Sequence, residues 1–263
     1  MDTNFLLLTI FTLMSSIVIP LYTILRKGMI NKSLDDHIPQ KFYSKQRMSK
    51  IALTNFFLLI LTIILITLIL LSIKSRRDLN YFSREDISIF LIYFLVVNLI
   101  SYGAGMYIIS IIKEQFTTKS LKNHPEYKIL YLTNEYFHGP VSHVLIFSGG
   151  FTLFFLISIL ELFYATHEIN LTKVSFYIIY GLLFGGLFLF AQLFNKTWKH
   201  QSPWMIGLFL LYLGVIYNYP VNLFFQPFNL FFITFGFILC TGLIIRHATY
   251  ILRGERYKYD YKK

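Results

Sequence analysis

Long apolar runs alternate with short polar segments along this chain, and the runs are apolar on every side rather than striped with a helical or strand period. A helix with no polar face has no side to turn toward water, so each run reads as a bilayer-crossing segment. Seven runs occur, at 5–25, 51–73, 87–112, 140–164, 174–194, 204–218 and 228–245. At about 1.5 Å per residue, some 20 residues cross roughly 30 Å of hydrocarbon, which most of these runs reach. The pattern predicts an all-α integral membrane protein, a seven-transmembrane-helix bundle forming one polytopic domain over 1–263, with a basic cytoplasmic tail at 246–263.

Local signals refine these elements. Asp2 before the first run, and Arg26 and Lys27 directly after it, are the reverse of a cleaved signal peptide, so a retained span is expected, kinked at Pro20. Pro140 suits a first helical turn, where its missing N–H would be unpaired anyway, so the fourth span is expected to begin there. Ser101 and Gly105 are four apart, as are Gly181 and Gly185, and small residues at that spacing let a second helix approach closely. The Gly181/Gly185 face is the expected surface for a homo- or hetero-oligomer. Trp198 and Trp204 read as interface anchors.

Composition agrees with the bilayer reading. Charged residues make up 14% and hydrophobic residues 56%, against about 25% charged in soluble domains. The net charge of +11 lies between the spans, which favours anionic lipid headgroups over nucleic acid as the partner. With seven spans, the Lys/Arg residues on one side number seven, four, two and six in successive segments, and on the other none, four, one and none. Positive charge collects on the cytoplasmic side, so the N-terminus is expected outside and the C-terminus inside a cytoplasmic (plasma) membrane. A single cysteine, Cys240, excludes disulfide frameworks and CxxC sites.

Candidate chemistry concentrates at 134–150, N-E-Y-F-H-G-P-V-S-H-V-L-I-F-S-G-G. Glu135, His138, Ser142 and His143 form the candidate catalytic set. His200 and His247 are helpers to that set, and His138, His143 and Glu135 form the candidate set for a divalent metal. Five residues of separation put His138 and His143 about 140° apart on a continuous α-helix, so convergence is expected only if Gly139-Pro140 makes a turn before the helix. Ser142 lies at the expected helix start, where free N–H groups favour an anion. Ser148 with His143 as base lacks the G-x-S-x-G elbow of serine hydrolases. Asp35-Asp36-His37 reads as a solvated turn rather than a metal site. Pro140 to His143, P-V-S-H, resembles the P-S-G-H motif of the type 2 phosphatidic acid phosphatases over four residues. That family's preceding lysine-arginine and following arginine-histidine motifs are absent, and membership is not assigned.

Outside this stretch, Glu161 is the one carboxylate within a predicted span, and Asn98 and Gln192 are polar residues within others. Three function classes follow. The first is a site at the cytoplasmic interface for an anionic lipid-like or small polar ligand, enzymatic or not. The second is a transporter or channel-like protein with Asn98, Glu161 and Gln192 lining a path. The third is a non-catalytic scaffold or partner-binding subunit.

Overall fold

The structure, a computed structural model, describes residues 3–30, 58–116, 124–166, 168–195, 197–219 and 221–254. Every regular element among them is helical: α1 Thr3–Ile30, α2 Leu58–Lys74, α3 Arg84–Phe116, α4 Pro125–Tyr136, a π turn Phe137–Val141, α5 Ser142–Phe163, α6 Leu171–Asn195, α7 Trp198–Asn218 and α8 Pro227–Leu252. Among the described residues each predicted apolar run falls on a helix; 51–57, the start of the second run, lies outside them. Among the described residues five segments are long and apolar enough to cross a membrane, Thr3–Pro20, Arg84–Ile109, Pro125–Phe163, Leu171–Asn195 and Pro227–Leu252, consistent with a multi-pass helical membrane protein. The described part of α2 is apolar but 17 residues long, and α7 opens on the polar turn W-K-H-Q-S.

Burial is inverted relative to a water-soluble bundle. The outer surface of α3 carries Leu91, Leu95, Tyr102 and Ile109, each more than three-fifths exposed. In water such a stripe would drive aggregation; against lipid tails it is neutral. The interior is aromatic, with Phe151, Phe154, Phe231, Phe232 and Phe235 almost wholly enclosed. The Phe154 ring alone lies 5.3 Å from Phe184 and 5.6 Å from Phe235, in the tilted and edge-on arrangements that ring quadrupoles favour.

Close helix contacts are made where glycine removes a side chain. A Cβ on Gly181 would fall 1.8 Å from Thr234 Oγ1, and one on Gly185 would fall 2.8 Å from the Phe235 carbonyl oxygen, both on α8. The Gly181/Gly185 face, read from sequence as a surface for another chain, is thus taken up by α8 of the same chain. The α3–α5 contact uses Gly103 against Leu145 and Gly149 against Ile100. The expected pair Ser101 and Gly105 does not pack: Ser101 is exposed and a Cβ on Gly105 would meet nothing within 4 Å. The reason is rotational, since the face that α3 turns inward runs through Tyr93, Val96, Ile100, Gly103, Ala104 and Tyr107. Trp198 is buried against His247 and Tyr250 rather than lying at a lipid interface.

The expected break at Gly139-Pro140 is also absent. The chain passes from α4 into α5 through one widened turn, closed by the Ser142 N–H donating to the Phe137 carbonyl five residues back. Pro140 supplies the cause: its ring has no N–H and would clash with the Tyr136 carbonyl in an α turn, and a π turn relieves both faults without ending the helix. Pro20 likewise lies within α1, which continues past it to Ile30.

Candidate functional site

The widened turn changes which side chains meet. In an α-helix, residues five apart point away from each other, whereas in a turn closed from i to i+5 they stack along one side. His138 and His143 accordingly lie on one side, with ring centroids 5.7 Å apart. Tyr107 of α3 stacks on His138 at 4.9 Å and meets His143 edge-on at 5.3 Å. The Ser142 hydroxyl donates to the His138 carbonyl, and His143 Nδ1 lies 2.8 Å from the same oxygen. A carbonyl can only accept, so His143 carries its proton on Nδ1 in this arrangement. His138, Ser142 and His143 are all more than nine-tenths buried.

His143 and Tyr107 also border a cavity of about 280 Å³ between α1, α2, α3, α5 and α6. Phe11, Phe184 and Phe188 form its apolar wall, and Ser15, Thr62 and Asn195 add polar atoms. Helix direction orders these residues by depth: Tyr107, His143 and Asn195 lie toward the end of the bundle where α3 and α6 finish and α5 begins, and Phe11 and Phe184 lie deeper. A narrow greasy slot with an imidazole, a phenol and an amide near one end suits an amphiphile better than a wholly polar molecule.

Other sequence candidates are either outside the described residues or placed elsewhere. The side chain of Glu135, and the whole of Asp35, Asp36, His37 and His167, lie outside the described residues. Among the described residues no three His, Cys, Asp or Glu side chains gather in a way that would hold a metal ion. His200 lies in the first turn of α7, and His247 meets Ser202 and Trp198 in a separate group. Asn98 is exposed on α3 and donates to its own helix at the Phe94 carbonyl, 2.8 Å away, so it shares no path with Glu161 or Gln192. Cys240 is buried and packs beside Met205.

The opposite end of the bundle holds polar residues that the sequence reading passed over. Lys74 and Asp86, both essentially unexposed, pair at 3.5 Å. Lys74 also donates to the carbonyls of Asp78 and Tyr81 and faces the rings of Phe82 and Tyr164. Asp86 accepts from Tyr164 Oη at 2.7 Å and from the Ser83 N–H at 3.1 Å, while Ser83 Oγ accepts from the Asp86 N–H at 3.1 Å. That reciprocal pair is a capping box at the start of α3, and S-x-x-D at Ser83 to Asp86 was its legible signal.

Arg76 and Glu161 form a second pair at 2.9 Å. Glu161 Oε2 accepts from the Asn229 N–H at 2.7 Å and from its side-chain amide at 3.0 Å, and Asn229 Oδ1 accepts from Tyr212 at 2.6 Å. Asn229 lies in the first turn of α8, so the carboxylate meets the positive end of that helix as well as the guanidinium. Arg76 donates further to the Tyr164 carbonyl at 2.9 Å. With the Asn4 amide oriented to satisfy its neighbours, its oxygen accepts from Arg76 Nη2 at 2.6 Å and its nitrogen donates to Ser72 at 2.8 Å. Burial and the Asp86 carboxylate push the Tyr164 phenol up to about 12, so it remains a donor at neutral pH.

No protein family, no curated protein and no solved structure matches this chain. Any functional reading therefore comes from the residues themselves.

Proposed function

We propose that this is a seven-span membrane protein whose cytoplasmic end binds a lipid-like amphiphile with an anionic head. The N-terminus lies outside in this reading, so the His143 end of the bundle faces the cytoplasm and the Arg76–Glu161 end faces out. The apolar chain of the ligand occupies the cavity between α1, α2, α3, α5 and α6, and its head lies near His143, Tyr107 and Asn195. The cavity itself carries the reading: it is apolar along its wall, and its imidazole, phenol and amide lie toward one end. Basic residues at the same end support an anionic head, since Lys199, Arg246 and Arg253 lie at the start of α7 and the end of α8.

Cross-linking with a diazirine-labelled anionic phospholipid in nanodiscs tests this. Label is expected on peptides containing Phe184 and Phe188, and filling the cavity with Ala104→Phe should remove most of it. Equal labelling of wild type and variant, or label confined to the exposed face of α3, would overturn the reading. An alkaline phosphatase fusion at each terminus tests the orientation, with activity expected only at the N-terminus.

A further inference from the structure

A second feature is independent of the cavity. Along α7, Thr197, Gln201, Met205 and Phe209 recur every four residues and so form one stripe. Across from it, Gln192 of α6 donates to Met205 Sδ at 3.4 Å. On the α5 side, Trp204 Nε1 donates to Thr152 Oγ1 at 3.0 Å. Ser148 lies one turn before Thr152 and Gln201 one turn before Trp204, which sets Ser148 level with Gln201. Ser148, Gln192, Thr197 and Gln201 are each more than nine-tenths buried. Among the described residues, Ser148 Oγ, Gln192 Oε1, Thr197 Oγ1 and both amide atoms of Gln201 have no hydrogen-bond partner.

A buried polar atom without a partner is costly, and five in one small region are too many to leave unanswered. Donors and acceptors are both present and no charged group is among them, which matches water rather than an ion. The geometry points to a hydrated vestibule between α5, α6 and α7, holding ordered water bound by Ser148, Gln192, Thr197 and Gln201. Its mouth lies at the end where Ser202, next to Gln201, pairs with His247. Its floor is aromatic: beyond Met205 the stripe continues into Phe209 and Tyr212, which pack on Phe232 at 6.3 Å and 4.9 Å. Water therefore enters from one end and stops near the middle of the bundle.

X-ray radiolytic footprinting in ¹⁸O-labelled water reads this directly, because hydroxyl radicals form at bound waters and label reactive side chains beside them. Met205 is fully enclosed and Cys240 nearly so, yet Met205 is expected to label within about tenfold of its rate in the unfolded chain, where Phe235 should be suppressed by about a hundredfold or more. Gln201→Leu with Gln192→Leu should lower Met205 labelling at least about fivefold by removing the groups that hold the water. Met205 protected to the same degree as Phe235 in the wild type would overturn the inference, with no variant required. Unchanged Met205 labelling in a folded double variant would overturn it too.

Discussion

The two ends of this bundle handle buried polarity in opposite ways. At the Glu161 end, the four buried or half-buried charges Lys74, Arg76, Asp86 and Glu161 are paired in twos; the carboxylates also accept from Tyr164, Asn229 or Ser83, and the cations also donate to backbone carbonyls. At the His143 end, a cavity adjoins His143, and five polar atoms of neutral side chains at that end have no hydrogen-bond partner among the described residues. A charge in hydrocarbon costs about 2.5–3.5 kcal/mol at a helix centre, so it persists only where the fold answers it; this makes the first end a clamp. Unanswered neutral groups cost less and leave room for something else, which makes the second end the place to look for a ligand.

Removing one member of the clamp should break this contrast most strongly. Glu161→Leu leaves Arg76 without its partner and the α8 N-terminus without its carboxylate, and is expected to cost about 3–5 kcal/mol, visible as a large fall in thermal unfolding temperature. Adding Arg76→Met should recover a substantial part of that loss, because the stranded charge is then gone. If the double variant is no better than the single, the pair is not a coupled unit. Lys74→Met should cost less, about 1–3 kcal/mol, since Asp86 keeps Tyr164 and Ser83 as donors.

At the other end, stability and binding should separate. His143→Ala is expected to cost about 2 kcal/mol, less than the loss at the clamp, because it removes ring contacts with Tyr107, His138 and Phe147 and one hydrogen bond but strands no charge. The same variant should lose most phospholipid cross-linking. A clamp-sized loss of stability from His143→Ala would erase the distinction between the two ends.

The smallest expected effect is at high pH. The Tyr164 phenol, pushed up to about 12, binds its proton more tightly in the folded chain than the ordinary tyrosine value of about 10 allows in the unfolded one. Its contribution to stability is complete below about pH 10 and is lost as pH rises through about 12. Tyr164→Phe should therefore lower stability at neutral pH by about 1 kcal/mol and flatten the alkaline part of the unfolding profile. A variant profile parallel to wild type throughout would show that Tyr164 is not the donor to Asp86 that the geometry implies.

How much of this was legible in the sequence differs by scale. The positions of the apolar helices followed from the runs, because in a bilayer every backbone group must be satisfied within its own segment, whereas the polar helix α4 and the first turns of α7 lay outside them. The candidate stretch at 134–150 was also visible, as the one crowding of polar residues beside an apolar run. The convergence of His138 and His143 was not, because the expected break at Pro140 and the π turn that replaces it differ in how the chain absorbs one missing N–H. Lys74 and Arg76 read as loop charges because they stand at the end of a run, and nothing local says that Asp86 and Glu161 will lie beside them.

The sequence by itself thus determined a helical membrane protein and its apolar lengths, both of which depend on composition along a single segment. Only the tertiary structure decided which glycine faces meet, which charges pair, and which polar groups are left for a ligand or water. Those depend on how each helix is rotated and at what depth it meets its neighbours, and helices that are apolar on every side carry no stripe from which that rotation could be read.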